Sequence, residues 1–141
     1  NHEASRAMME VGVHACTDIS GFGLLGHLKG MVVASGVGAR IELSQVPLLP
    51  GTWELAEQGI APGGTERNLA ALGSRVRWEP SLPKVTKVVL SDAQTSGGLL
   101  ISVAQEKEQP LLDELAGRGI YGPVVIGQVT KESPGVIYVV P

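Results

Sequence analysis

The sequence predicts a single mixed α/β (α+β) domain over residues 1–141, with one mixed sheet of about four to six strands packed by helices. Short β-branched or alternating apolar runs interleave with segments in which apolar residues repeat every three or four positions. Hydrophobic residues form 43% of the 141 residues, and a chain of this length buries about 70% of its unfolded surface. A substantial aliphatic core is therefore expected.

In chain order, the first half is predicted to contain a helix at 1–10, a strand at 11–17, a helix at 24–34, a strand at 38–43 and helices at 52–58 and 65–72. The first helix follows from apolar residues at positions 4, 7, 8 and 11, and the second ends at Gly36. Strict alternation of apolar and charged residues predicts the strand at 38–43. Thr52 and Thr65 are the expected N-caps. Because the first residue already lies in a helix, we expect a longer parent protein.

In the second half we predict an irregular segment at 75–84, strands at 85–90 and 99–104, a helix at 106–116 and strands at 123–129 and 136–140. The β-branched run predicts the strand at 85–90, and two prolines predict the irregular segment before it. The helix at 106–116 carries its leucines on one face, with Pro110 tolerable only in the first turn. A polar segment at 131–135 predicts a hairpin between the last two strands.

Charge and hydropathy exclude several classes of partner. The net charge is −3 and the pI about 5.6, without the basic stripe that nucleic-acid binders carry. No apolar run reaches the about 18 residues that a membrane-spanning helix needs, so neither nucleic acid nor a membrane is an expected partner. Cys16 is the one cysteine, which excludes an internal disulfide and fits a reducing, cytoplasmic location.

Two glycine-rich polar segments stand out, each beside an apolar run. The first glycine turn is residues 18–23 (DISGFG), and the second glycine turn is residues 92–98 (DAQTSGG). Carboxylates such as that of Asp18 bind hard cations, and glycine N–H groups approach phosphates closely. The hydroxyls of Thr95 and Ser96 and unobstructed N–H groups of Gly97 and Gly98 are candidate phosphate contacts. Both turns are expected at one rim, as a magnesium–phosphate site; for the second glycine turn, the alternative is a tight turn between two core strands.

A third segment has similar chemistry. The proline–glycine motif is residues 61–68 (APGGTERN), in which Gly63 and Gly64 precede a predicted helix N-terminus that favours anions. Arg67 is placed to clamp a phosphate or carboxylate. The alternative is a capped surface helix with a solvated arginine.

The histidines and Cys16 are the other candidate ligands or nucleophiles. His14, Cys16 and Asp18 alternate on one strand face, but they span about 13 Å, too far for one tetrahedral zinc ion. We expect His14 and Cys16 to pack; for Asp18, an N-cap or Asx-turn is the alternative to cation binding. His27 is expected to be a satisfied core histidine. Cys16 has no cation nearby in sequence to lower its pKa, so it is not a candidate nucleophile.

Residues 14–27, 62–68 and 92–100 resemble, in the same order, motifs of the selenophosphate synthetase (selenide, water dikinase) family. That family is part of the superfamily of aminoimidazole ribonucleotide synthetase, whose members have two α/β halves. The chain is similar to the C-terminal half alone, and nearly all of it takes part in the resemblance.

The resemblance implies that the whole enzyme makes selenophosphate from selenide, ATP and water, giving AMP and phosphate. Asp18 matches a magnesium-binding aspartate, while residues 95–98 match a loop facing the shared cleft. The family's catalytic cysteine or selenocysteine and its lysine belong to the other, ATP-binding half. The resemblance thus implies no catalytic residue in this chain, an inactive isolated domain, and a homodimer as full-length enzyme with Mg²⁺ and ATP. A stand-alone, non-catalytic binding module of the same fold is the alternative.

Overall fold

The computed structural model describes residues 2–141. Within them the chain forms six α-helices and six strands, in the order α1 (His2–Val11), β1 (Ala15–Asp18), α2 (Gly23–Ser35), β2 (Gly38–Glu42), α3 (Thr52–Glu57), α4 (Thr65–Leu72), β3 (Val76–Trp78), α5 (Val85–Leu90), β4 (Leu99–Ser102), α6 (Glu108–Gly117), β5 (Gly127–Thr130) and β6 (Ile137–Val140). Most predicted elements are confirmed with small shifts of their ends; the predicted start of the first helix, Asn1, lies outside the described residues.

The main sheet has four strands in the order β3-β6-β2-β5. β6 runs parallel to both β3 and β2, whereas β5 runs antiparallel to β2, so the predicted mixed sheet is confirmed. The predicted hairpin between the last two strands is wrong, because β2 lies between β5 and β6. Ile137 and Val139 of β6 have no exposed surface, which marks the centre of the larger core.

A separate two-stranded antiparallel ribbon, β1 with β4, was not predicted as such, because a single sheet was expected. The ribbon lies between two cores. Leu100 packs against the larger core, to which α2, α4 and α5 contribute, while Leu99 and Ile101 pack against a smaller core built on α1 and α6. Because neighbouring side chains of a strand point to opposite faces, one short strand can serve both cores.

The predicted strand at 85–90 is wrong, since the segment forms helix α5. Thr86, Val89 and Leu90 are its buried residues, and their spacing of three and four positions matches one face of a helix. Burial of that face against the larger core overrides the β preference of the three valines.

Three smaller corrections concern helix ends and an edge strand. Thr52 and Thr65 are the first residues of their helices rather than N-caps; the cap positions are Gly51 and Gly64, without side-chain hydrogen bonds. Residues 76–78, predicted to be irregular, form β3 through pairing with β6.

No helix among residues 2–141 is both long and apolar enough to cross a membrane.

Candidate functional site

The two glycine turns meet at one end of the ribbon, as predicted. The first glycine turn begins at the end of β1, and the second ends where β4 begins, so antiparallel pairing sets Asp18 opposite Leu99. The N–H of Ile19 donates to the carbonyl of Gly98 at 2.9 Å, and the N–H of Gly97 donates back to Ile19 at 2.9 Å. The turns are therefore in direct backbone contact.

We call the contact between the two glycine turns the junction. The proline–glycine motif reaches this junction through Asn68 of α4. Its side-chain Nδ2 donates to the carbonyl of Gly21, in the first glycine turn, at 2.9 Å. The same nitrogen donates to the carbonyl of Ser91, directly before the second glycine turn, at 3.1 Å. The three segments selected from sequence thus converge at one place. Asn68 was not itself predicted as a site residue, although it closes the quoted motif.

Thr65 and Asp92 form a second link between the proline–glycine motif and the second glycine turn. The buried Thr65 hydroxyl donates to Asp92 Oδ1 at 3.0 Å, and the N–H of Ala93 donates to that hydroxyl at 3.3 Å. Gln94 Nε2 donates to Asp92 Oδ2 at 2.8 Å. Both carboxylate oxygens of Asp92 are therefore engaged inside the chain, which makes Asp92 a scaffold residue.

Two glycines allow the close approach of the turns. Gly23 has φ +70°, and a Cβ built there would lie 2.6 Å from the carbonyl oxygen of Asp92. A Cβ at Gly97 would lie 2.8 Å from Ile19 Cγ2. Since the N–H of Gly97 already bonds to Ile19, the expectation that it is unobstructed is wrong. Gly97 is needed for packing.

Asp18 differs from Asp92 because its carboxylate is exposed and makes no hydrogen bond with residues 2–141. Asp18 is the last residue of β1, where the first glycine turn begins, and the cap position of α2 is Phe22. The N-cap and Asx-turn alternatives for Asp18 are therefore wrong. Asp18 presents a free carboxylate beside the two turns.

Cys16 and Asp18 share the exposed face of β1, and the exposed His14 lies just before the strand begins. The side chains of His14 and Cys16 are both exposed, so the expectation that they pack is wrong. Partial burial, followed by the nearby Asp18 carboxylate, raises the pKa of the Cys16 thiol. A raised pKa disfavours the nucleophilic thiolate. Among the described residues, no three His, Cys, Asp or Glu side chains form a metal-binding group.

His27 supports the first glycine turn from inside α2. The N–H of Ser20 donates to His27 Nε2 at 3.0 Å, which assigns the imidazole proton to Nδ1. The Phe22 ring lies 5.7 Å from the imidazole, centroid to centroid. The predicted hydrogen-bonded histidine is confirmed, but His27 is half-buried rather than in the core.

Around the junction, several groups remain open to a ligand. Thr95, Ser96 and Gly98 are exposed, and no acceptor within residues 2–141 takes their N–H groups. Gly63 and Arg67 are also exposed. Gly64 is half-buried, and a Cβ built there would lie 3.2 Å from Ala93 Cβ. Exposed N–H, hydroxyl and guanidinium donors suit an anion, and the Asp18 carboxylate suits a cation.

Curated relatives match nearly the whole chain. The chain is 44% identical over 139 residues to "Selenide, water dikinase" of Caldanaerobacter subterraneus, which covers 99% of this chain and 40% of the relative. The protein of the same name from Pseudomonas straminea is 45% identical over 125 residues, covering 89% and 35%. The chain therefore spans about 40% or less of the length of these relatives.

Two solved structures share the fold. Thiamine-monophosphate kinase of Stenotrophomonas maltophilia aligns with a TM-score of 0.55 at 16% identity, covering 90% of this chain and 31% of that one. Phosphoribosylformylglycinamidine synthase II of Thermotoga maritima aligns with a TM-score of 0.53 at 18% identity, covering 92% and 17%.

The family model described as "AIR synthase related protein, C-terminal domain" matches residues 2–140. This agrees with the resemblance seen in the three motifs and with the fold of the two solved structures. The chain belongs to the family of AIR synthase related protein C-terminal domains.

Proposed function

We propose that this chain acts as the C-terminal domain of a selenide, water dikinase, which makes selenophosphate from selenide, ATP and water. The observation that carries the proposal is the convergence of three separate segments, held by Asn68 and by the Thr65–Asp92 pair. Relatives of that name match up to 99% of this chain at about 44% identity. The remaining length of those relatives would supply the ATP-binding half.

In this proposal Asp18 is one ligand of Mg²⁺. This role is supported by the Asp18 carboxylate, which is exposed and accepts no hydrogen bond within residues 2–141. Mg²⁺ usually keeps several waters and needs more than one anionic ligand, so further carboxylates must come from the other half. Bound Mg²⁺ would neutralise charge on the phosphate oxygens. Asp18 would thereby hold the two halves to a common ligand.

The donors around the junction are proposed to face phosphate. Thr95, Ser96 and Gly98 would contribute hydroxyl and N–H donors, because these groups are exposed at the second glycine turn. Gly63, Gly64 and Arg67 would approach the ligand from the start of α4. Gly97 would act by allowing the turns to touch.

The isolated chain is expected to be inactive, since one free carboxylate cannot supply a magnesium site and the proposed reaction takes its lysine and nucleophile from the other half. The active form is proposed to be a cytoplasmic homodimer of the full-length enzyme. These features come from the family resemblance.

The test is turnover by the full-length protein that contains this chain. Purified protein with ATP, Mg²⁺ and selenide should release AMP and form selenophosphate detectable by ³¹P NMR. Omission of selenide is the control for background hydrolysis, and the 141-residue chain alone should give no turnover. A folded full-length protein without selenide-dependent AMP release would contradict the proposal and favour a non-catalytic binding module.

A further inference from the structure

The side chain of Asn68 donates to two backbone carbonyls that belong to separate segments of the chain. Its two N–H hydrogens are matched by two backbone carbonyls, those of Gly21 and Ser91, at 2.9 and 3.1 Å. A side-chain amide nitrogen carries two donor hydrogens, so both are used. The two carbonyls belong to different parts of the junction, one on each side of it.

The backbone already joins the two glycine turns to each other. Ile19 bonds reciprocally with Gly97 and Gly98, and the N–H of Gln94 donates to Ser20 at 3.1 Å. No comparable backbone bond, among the described residues, joins α4 to the first glycine turn. Asn68 makes that connection, and it places the start of α4, with Arg67, against both turns.

We propose that Asn68 is a positioning residue that fixes Arg67 and the Gly63–Gly64 backbone relative to the two glycine turns. This rests on the proposed function, in which those groups bind the phosphates of ATP. Asparagine suits the role because its side-chain amide offers two donors at the right length. Aspartate has the same shape but no donor, and glutamine is longer by one methylene. Misplacement of a ligand-binding group by about 1 Å is enough to reduce productive binding strongly.

The first measurement is amide hydrogen exchange in wild-type and Asn68→Ala protein. The N–H group of Ala93, which donates to the Thr65 hydroxyl of α4, should exchange at least about tenfold faster in the variant, because loss of the Asn68 bonds loosens α4 from the junction. The N–H groups of Ile41 and Val139, in the central strands, should exchange at the wild-type rate. Gln45→Ala is the matched control, since Gln45 is exposed and its amide makes no hydrogen bond within residues 2–141.

The second measurement is steady-state kinetics of the full-length protein. Asn68→Ala should raise KM for ATP by about tenfold while kcat changes by less than about threefold, because it weakens ligand placement. Asn68→Gln, which keeps both donors, should recover part of that KM. A purely structural role would instead lower the melting temperature and leave KM at the wild-type value.

The outcomes separate the positioning role from the proposed function. Wild-type exchange at Ala93 in Asn68→Ala would overturn the positioning role, and so would an unchanged KM in an active enzyme. If wild-type protein lacks selenide-dependent turnover, the proposed function fails. The KM for ATP is then replaced by the dissociation constant for Mg·ATP from calorimetry; an unchanged constant in Asn68→Ala would overturn the positioning role.

Discussion

At the scale of single residues, the two aspartates of the glycine turns have opposite environments. Asp92 accepts hydrogen bonds at both oxygens, whereas Asp18 accepts none within residues 2–141. Their sequence contexts are similar, so composition alone did not separate them. The separation appears only when α4 is packed against the second glycine turn, because Thr65 comes from 27 residues away.

Asp18→Asn tests the ligand role of the exposed carboxylate. The full-length protein should lose on the order of a hundredfold in turnover at limiting Mg²⁺, because the amide keeps the volume but not the charge. The melting temperature should stay near wild type, since no hydrogen bond within the described chain is lost. Asp113→Asn on α6 is the matched control. Normal kinetics of Asp18→Asn at low Mg²⁺ would remove Asp18 from the site.

The Cys16 thiol reports on the same carboxylate. Burial first, and Asp18 second, raise its pKa above the ordinary 9.0, so the midpoint of its alkylation rate against pH should lie above that value. Asp18→Asn should lower the midpoint without abolishing the shift, because the burial contribution remains. Since the folded pKa is raised, the thiol stabilises the fold below its unfolded pKa, and that contribution is lost as pH rises through the folded pKa. An unchanged midpoint in Asp18→Asn would contradict the predicted coupling.

At the scale of elements, the contact between the turns depends on the absence of a side chain at Gly23. Gly23→Ala should destabilise the chain by roughly 2 kcal/mol or more, because the new Cβ meets backbone atoms and φ is positive. Gly21→Ala is a control within the same turn, since nothing lies within 4 Å of its Cβ position. Chemical denaturation of both variants measures the difference, and equal stability would contradict the close contact.

The Thr65–Asp92 pair makes a similar prediction for the start of α4. Thr65→Val should cost about 1–3 kcal/mol of unfolding free energy, because Asp92 loses a donor and the Ala93 N–H loses an acceptor. A double-mutant cycle with Asp92→Ala, which removes the acceptor, should give a coupling energy of about 0.5 kcal/mol or more. Additive effects in urea denaturation would show that the two residues do not act together.

The limits of sequence reasoning are clearest in α5 and in the glycine turns. Local sequence pattern identified the two turns and α2, because hydrophobic periodicity and glycine positions depend only on residues close together in the sequence. It failed at α5, where burial of one face overrides β propensity. It also missed Asn68, whose bonding partners are carbonyls 47 and 23 residues away. Sequence therefore predicted which segments form the candidate site, and packing determined which side chains hold it.

At the scale of the whole molecule, the last strand completes the main sheet. β6 lies between β3 and β2, and Ile137 and Val139 are fully buried. Deletion of residues 137–141 should therefore abolish cooperative thermal unfolding, because two strands lose their parallel partner and the larger core loses its centre. Deletion of the exposed Pro141 alone is the control. A cooperative melt of the 136-residue chain would contradict this arrangement.

The position of β6 also has a consequence for biosynthesis. β2 leaves the ribosome early, yet both of its neighbours in the sheet come from the last 15 residues, 127–141. The chain segment between β2 and its partners β5 and β6 is long. Pairing between strands so far apart in sequence forms slowly. During translation β2 and β3 have no pairing partner until β5 and β6 are synthesised. Their strand edges are exposed in that period, which favours aggregation. The larger core of this domain therefore completes its folding only after residues 127–141 have left the ribosome, and chaperone protection of the nascent chain would matter most until then.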